Sequence, residues 1–393
     1  MPAACEGWLS IELTSGRFLA GVWLERGASE YRPESGVSTS AKPSMPEEAN
    51  LMTMIGIDPH KATHTAVAIG SDEEVLAEFT LRANSTQADR LREWADGFEK
   101  REWAVESAKG LGYLLAQQLV AAGETVFDVP PVLASRVRLL DTESSQKNDP
   151  NDARSIAIAA LRSKRLNLVR PDEHDAVLRM LAKRHRDMSR LRNKACTRLH
   201  ALLIELEPAG IASEMTVNKA NTVLERVQIP DEVTRHRVMI AGELVDDIAR
   251  FDASLKASKK RIDAAVRASG TTVTEVVGIG PVNAAVIIGF SGDIARFPTK
   301  AHFATYNATA PIDASSGPNP RQRLNPRGNR KVNHAIHIAA VTQLRYPGEG
   351  RDYYDRKRAE GKTSKEAIRC LKRRISDRVY KHLIADQRRT ADS

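Results

Sequence analysis

Between residues 52 and 130, apolar positions alternate between short strand-like runs and amphipathic stretches of helical period. Three β-rich runs come first, in the order MIGID, THTAVAIG and EVLAEFTLR. The pattern then predicts a helix over 87–99, the strand EWAVES, a helix over 111–122 and the strand ETVFDV. These elements predict an α/β domain over 52–168.

Three early strands followed by alternating helix and strand is the order of an RNase H-like fold, and acidic residues stand at its element ends. Asp58 ends the apolar run in MIGIDPHK, and Glu106 ends the run in EWAVES. Asp149 and Asp152 begin the helix predicted from KNDPNDARSIAIAA. Because α/β proteins place their sites at strand ends and carboxylates suit hard divalent cations, we predict a metal site for phosphodiester chemistry. For Asp149 and Asp152 alone, a helix cap and a first-turn acid are an equally good explanation.

A long basic helix is predicted over 172–208. Its apolar seam steps by three, four or seven residues, through Leu181, Met188, Leu191, Ala195, Leu199, Leu202 and Leu206. A second seam runs through Leu244, Ile248, Phe251, Leu255, Ile262 and Val266. Pro208, Gly210 and Pro230 lie between the two, so 169–270 is predicted to form a coiled-coil hairpin or a dimer arm. Its basic face is either a solvated spacer or a nucleic-acid contact surface, with Arg184, Arg190 and Arg198 as candidates.

The region 271–345 is predicted to be mostly helical. Gly278-Ile279-Gly280-Pro281 resembles a helix-hairpin-helix element, whose backbone N–H groups can bind a DNA phosphate through Gly278 and Gly280. A plain turn before a helix is the alternative. The segment 346–393 is predicted to be a basic helical tail.

Two further candidate contacts with phosphate come from short motifs. Ser315 and Ser316 precede Gly317, and a serine becomes a nucleophile only when its proton is removed or the developing charge is stabilised. Four arginines that could bind phosphate oxygens follow within fifteen residues, namely Arg321, Arg323, Arg327 and Arg330. Alone, Ser-Ser-Gly is an ordinary loop. Lys61, after the first acid, is a candidate phosphate contact or simply an exposed lysine.

Composition supports a polyanionic partner. The formal net charge is +9, from 59 basic and 50 acidic residues among 393. Three distant cysteines match no metal or disulfide spacing, and no apolar stretch reaches membrane-span length, so we expect a cytoplasmic protein with no membrane partner. Residues 1–51 are aperiodic and rich in Ser, Pro, Gly and Glu, which predicts a flexible extension; a start nearer to Met52 or Met54 is an alternative.

Taken in order, these motifs resemble one family. GID, VES and KNDPNDA are similar to the Asp-Glu-Asp-Asp set of RuvC-like transposases. With the basic arm, GIGPVNA and SSG before an Arg-, Gly- and Asn-rich helix start, residues 52–345 resemble the "insertion sequence one-ten" transposases, relatives of the Piv DNA invertases. Residues 1–51 and the basic tail lie outside that pattern.

The resemblance implies a serine recombinase whose site is built from a RuvC-like domain and a C-terminal transposase domain. It implies that Asp58, Glu106, Asp149 and Asp152 bind Mg²⁺, or Mn²⁺, and that Ser316, which directly precedes the glycine, forms a phosphoserine link to DNA. It also implies a homodimer or homotetramer acting on donor and target DNA at the bacterial nucleoid, guided by an element-encoded bridge RNA. Two other functions stay open: a RuvC-like junction nuclease that uses metal-activated water, and a non-catalytic nucleic-acid-binding protein derived from a transposase.

Overall fold

The computed structural model describes residues 52–140, 149–164, 166–208, 210–313, 322–323, 325–326 and 328–391. The predicted extension over 1–51 lies outside these ranges. The predicted site residues Ser316, Arg321 and Arg327, and the alternative nucleophile Ser315, also lie outside these ranges. None of the helices in the described ranges has an apolar stretch long enough to cross a membrane.

A six-stranded mixed sheet forms the N-terminal part of the molecule. Its strands are β1 (Thr53–Pro59), β2 (Thr63–Ile69), β3 (Val75–Arg82), β4 (Arg101–Glu106), β5 (Val126–Val129) and β6 (Asn167–Leu168). Their order is β3-β2-β1-β4-β5-β6. Strands β1 to β3 are antiparallel, whereas β4 and β5 continue parallel to β1. The predicted α/β domain is thereby confirmed, because the first three strands form a meander and the next two are each reached through a helix.

Helices cover both faces of this sheet. On one face lie α1 (Gln87–Trp94) and α2 (Tyr113–Ala121), and on the other α3 (Pro131–Leu140) and α4 (Asp149–Leu161). Successive side chains of a strand point to opposite faces. Ile55 and Ile57 accordingly pack with α1 and α2, while Met54 packs with α4. Asp58, two residues beyond Gly56, is therefore directed to the face that α3 and α4 cover.

A long helical hairpin follows, formed by α5 (His174–Ile204), the short α6 (Val217–Leu224) and α7 (Glu232–Ala268). Helices α5 and α7 run antiparallel, because the start of α5 contacts the end of α7 and the reverse. The contacts that establish this are His174 with Ala265, His185 with Ser258, Arg192 with Asp252, and Glu205 with Arg237.

The predicted apolar seam of α5 is partly right. Met188, Ala195 and Leu199 are buried, but Leu191 is 46% exposed, so its place in the seam was wrong. At 3.6 residues per turn, Leu191 lies three residues after Met188 and so about 60° round the helix from that buried position. On α7, Ile248, Ile262 and Val266 are buried as predicted, and the other seam positions are partly exposed.

The C-terminal part is mostly helical. It contains α8 (Pro281–Ser291), α9 (Lys300–Tyr306), the short strands β7 (Ile312–Asp313) and β8 (Gln322–Arg323), α10 (Arg330–Arg345), α11 (Glu349–Ala359) and α12 (Ser364–Ala391). Helix α12 shares one apolar core with α8 and α10, and Leu371, Ile375 and Val379 of α12 are buried there. Leu178 and Ala182 of α5, and Ile262 and Val266 of α7, belong to the same core. The roots of the helical hairpin are thus part of the C-terminal core.

The turn Gly278–Pro281 differs from the predicted helix-hairpin-helix. Immediately before it, Val273–Glu275 form a single 3₁₀ turn rather than a full helix. Gly278 has φ +86°, and a Cβ there would lie 2.7 Å from the backbone oxygen of Ala339 in α10. Packing and backbone conformation therefore explain Gly278. Gly280 is exposed, with open space beside it, at the start of α8.

Helix α4 lies directly on β1 at Gly56. A Cβ on Gly56 would come 2.1 Å from the backbone oxygen of Ala153 and 2.6 Å from the backbone nitrogen of Ala157. No side chain fits at that separation. Glycine at position 56 therefore allows the start of α4 to approach the end of β1 this closely.

Replacing Gly56 by alanine is expected to destabilise the fold by about 3 kcal/mol, since the packed helix must move. Denaturant unfolding measures this. Gly242→Ala is the matched control: Gly242 lies inside α7 with nothing within 4 Å of an added Cβ, so alanine there should stabilise by about 0.5–1 kcal/mol. Equal unfolding midpoints for the two variants would contradict the packing argument.

Candidate metal centre

Two of the four predicted acids stand side by side at one sheet edge. Ile57 pairs with Val105 across the parallel strands β1 and β4, so Asp58 and Glu106 are the next residues on each strand. The Asp58 residue is 7% exposed, and Glu106 is half-buried. Both strands run in the same direction, which brings their acidic ends together.

The other two acids are in the first turn of α4. Asp149 and Asp152 are three residues apart, a spacing that puts two side chains on one side of a helix. Asp152 is buried and Asp149 is exposed. In the first turn, the negative charges of these two acids interact favourably with the helix dipole. The same position also directs their side chains to the strand ends. The helix-start and metal-site interpretations are therefore compatible.

His60 joins this group, although no motif distinguishes it from its neighbours in the sequence. One ligand atom each of Asp58, His60 and Asp149 lie within 4.8 Å of one another. The His60 Nδ1 atom is 3.7 Å from Asp58 Oδ2. The readable signal was a histidine two residues after an acid that ends a strand.

Arg138 is a second residue that sequence reasoning missed. It lies on α3 and forms an ion pair with Asp152. No motif marks it, because a single arginine on an amphipathic helix is usually a solvated residue. In the fold its guanidinium supplies positive charge within a group of carboxylates.

The surroundings of Asp58 and Glu106 disfavour the ionised forms of these two carboxyls. Burial raises the pKa of Asp58, and the charges of Asp152 and Asp149 raise it further. Burial likewise raises the pKa of Glu106, and the charge of Asp58 adds to the effect. His60 and Arg138 act in the opposite direction on both carboxyls. The four acids, His60 and Arg138 thus belong to one electrostatic unit.

These donors fit a hard divalent cation. Carboxylate oxygens are the ligands that Mg²⁺ and Mn²⁺ prefer, and the site offers several on rigid elements. The imidazole of His60 is a less suitable donor for Mg²⁺. We therefore assign any cation here mainly to the carboxylates.

The remaining predicted nucleic-acid contacts lie apart from this centre. Lys61 is exposed in the turn between β1 and β2. Arg184, Arg190 and Arg198 are exposed on α5, and none forms an ion pair with an acid in the described ranges. Arg323 lies in β8, which pairs with β7. Every described hydrogen bond or ion pair of the four acids is made within the N-terminal part.

Comparison with known proteins gives consistent matches along the chain. A family model described as a transposase, of the DEDD type found in IS110, matches residues 55–208. A second model, described as the transposase IS116/IS110/IS902 family, matches residues 270–355.

Individual relatives and solved structures also match. An IS116 protein of Streptomyces clavuligerus is 28% identical over 372 residues, covering 83% of this chain and 93% of the relative. An IS110 protein of Streptomyces coelicolor is 30% identical over 302 residues, covering 63% of this chain and 73% of the relative. Thermus thermophilus RuvC, solved with a Holliday junction substrate, matches 30% of this chain and 99% of its own at 18% identity, with a TM-score of 0.25.

Proposed function

Because the chain belongs to the IS116/IS110/IS902 family of transposases, we propose that it cuts and rejoins DNA by metal-assisted attack of a serine. The observation that carries this proposal is the convergence of Asp58, Glu106, Asp149 and Asp152 on one end of the sheet. A merely structural role explains such a group poorly, because buried like charges destabilise a fold unless a cation neutralises them.

In this proposal the four acids hold Mg²⁺, or Mn²⁺, beside the scissile phosphodiester. The chemistry that bound metal supplies is stabilisation of charge on the attacking and leaving oxygens. Asp58 and Glu106 provide fixed oxygens from the strand ends, and Asp149 and Asp152 provide them from the helix start. Arg138 neutralises part of the charge on Asp152 and keeps that carboxylate directed into the site.

Ser316 is the proposed nucleophile. Its Oγ forms a bond to phosphorus while one bond from phosphorus to a deoxyribose oxygen breaks. The serine proton leaves to solvent, and the departing oxygen takes one up, so no outside energy source is required. Rejoining repeats the exchange with the hydroxyl of a different strand. The described contacts of the four acids are all made within their own domain. We propose that the protein works as a homodimer or homotetramer. In that assembly Ser316 reaches the acidic centre from either the same subunit or another.

A junction nuclease that uses water is the second candidate, because the acidic centre is complete without a serine. The two functions differ in whether a covalent protein–DNA link forms. A binding protein without catalysis is the third, and it gives no reason for all four acids to converge. The proposed DNA substrate places the working protein at the bacterial nucleoid.

We further propose that an element-encoded RNA guides the reaction. The exposed arginines of α5, unpaired with acids in the described ranges, give a surface suited to the backbone of a folded RNA, while base pairing would read the DNA sequence.

Recovery of RNA that co-purifies with the protein tests this. A discrete RNA matching DNA beside the gene is expected, and it should be lost when Arg184, Arg190 and Arg198 are replaced by glutamine. The matched control replaces Arg235, Arg250 and Arg267 of α7, each of which pairs with an acid on its own helix. Random RNA fragments, or equal loss in both variants, would count against guidance through α5.

A further inference from the structure

A group of cations with no acidic partner among the described residues lies where α10 meets α12. Lys372 of α12 is half-buried, and its Nζ donates a hydrogen bond to Asn333 Oδ1 at 2.7 Å. Burial lowers the pKa of Lys372, and the nearby charges of Arg330 and Arg369 lower it further. Three positive groups therefore share one small region. We call Lys372, Arg330 and Arg369 the α10–α12 cation cluster.

Several neighbouring cations of α12, in contrast, do have acidic partners. Arg373 pairs with Asp377, Arg378 with Glu349, and Arg389 with Asp386. Among the described residues, no carboxylate lies within ion-pair distance of any member of the α10–α12 cation cluster. A half-buried ammonium beside two guanidinium groups is costly unless an anion offsets it. Within the described ranges, therefore, nothing acidic offsets this charge.

The cluster rests on a rigid polar support. Asn333 Nδ2 donates to the backbone oxygen of Asn307 at 2.8 Å, and Asn307 Nδ2 donates to Ser376 Oγ at 2.8 Å. Asn307 and Ser376 are fully buried. The position of Lys372 is thus fixed through hydrogen bonds to the core, as in a preformed binding site.

This support also anchors the segment that carries Ser316. Asn307 precedes this segment and Asn329 follows it, and the Asn329 backbone nitrogen donates to the Tyr306 oxygen at 2.6 Å. The next residue, Arg330, is a member of the cluster. Both ends of the serine segment are therefore fixed beside these cations.

Positive charge continues from the cluster toward the helical hairpin. Burial lowers the pKa of Lys331, and the charges of Arg186, Lys183 and Arg190 on α5 lower it further. Lys331 directly follows Arg330. A chain of phosphates, rather than a single small anion, matches this extended arrangement.

We propose that the α10–α12 cation cluster binds a backbone phosphate of the DNA strand that Ser316 attacks, and so positions that strand. The proposal rests on the proposed function for the choice of DNA. Lys372 acts as a positioning residue in this scheme: it holds a phosphate near the reacting one and makes no bond to the reacting atoms.

The test uses full-length protein and compares Lys372→Met with Lys381→Met. Lys381 lies on the same helix nine residues on, which is the opposite side, and it is exposed. Binding of a 30-base-pair duplex DNA is measured against salt concentration. Lys372→Met is expected to weaken binding about tenfold and to reduce the salt slope by about 1, while Lys381→Met leaves both near the parent values.

Lys372→Arg, which keeps the charge, separates binding from packing. It should retain most of the DNA affinity, and inorganic phosphate should raise the melting temperature of the parent and of Lys372→Arg more than that of Lys372→Met. Unchanged DNA binding in Lys372→Met would overturn the proposal. So would loss of affinity for a single-stranded RNA of equal length without loss for DNA, or equal loss in Lys372→Arg and Lys372→Met.

Because binding is measured without strand cleavage, the two proposals fail separately. Absence of a covalent link at Ser316 with an intact Lys372 effect would reject only the serine mechanism. A covalent link with normal DNA binding by Lys372→Met would reject only the phosphate site.

Discussion

Replacing Asp58 by asparagine is expected to lower the rate of DNA strand cleavage by about a thousand-fold or more, equivalent to roughly 4 kcal/mol of transition-state stabilisation. Asp58 is the more buried of the two strand-end acids, and its ligand atom lies within 4.8 Å of those of His60 and Asp149. An amide keeps the shape but removes the charge that a divalent cation requires. Cleavage of a labelled DNA substrate in Mg²⁺ or Mn²⁺ measures the effect.

Asp128→Asn is the matched control for that variant. Asp128 lies on β5 opposite Val105, faces the other side of the sheet from Glu106, and pairs with Lys109 at 3.1 Å. Its replacement should leave cleavage within a few-fold of the parent, because Asp128 faces away from the four acids. Comparable losses in both variants would place the metal elsewhere.

The same Asp58→Asn change is expected to stabilise the metal-free protein at neutral pH by about 1 kcal/mol. Burial raises the pKa of Asp58 in the fold, so the stability associated with its protonated form is present at low pH. It is lost as pH rises through the folded pKa. The advantage of the variant should therefore be largest near pH 7 and shrink toward pH 4. Thermal unfolding in a chelator measures it; a variant less stable than the parent at pH 7 would show that Asp58 is not strained by its neighbours.

Replacing Ser316 by alanine is expected to abolish both the covalent protein–DNA link and strand exchange, a loss of about 10⁴-fold or more. Ser315→Ala, one residue away, is the control and should retain both. Denaturing gels after incubation with labelled DNA detect the link, and a two-substrate assay detects exchange.

The nuclease alternative gives a different pattern in the same experiment. Water as nucleophile would leave strand cleavage intact in Ser316→Ala while Asp58→Asn still loses it. Loss in Ser315→Ala and retention in Ser316→Ala would move the nucleophile by one residue.

The fold of the first domain could be read from the chain because two signals agree there. Strand-like runs end in acids at Asp58 and Glu106, and in parallel strands such ends meet at one edge. Asp149 and Asp152 were ambiguous, since the same residues suit a helix start. Only the packing of α4 on Gly56 directs them to the strand ends.

Other features depend on contacts that no local pattern carries. Arg138 becomes informative only beside Asp152, and His60 only beside Asp149. Leu191 fitted a regular repeat but lies on the exposed side of α5. For α12 the sequence carries a signal of core packing, because Leu371, Ile375, Val379 and Leu383 recur every fourth residue, but the sequence analysis predicted only a basic helical tail there.

The rooting of the helical hairpin has a mechanical consequence. Helix α5 has 31 residues and is therefore about 46 Å long. Its first turns and the last turns of α7 are part of the core that also holds α10 and α12. The hairpin is thus anchored at one end, in the C-terminal core. A nucleic acid bound near Glu205, at the far end of α5, is therefore expected to transmit force to the core that holds α10 and α12.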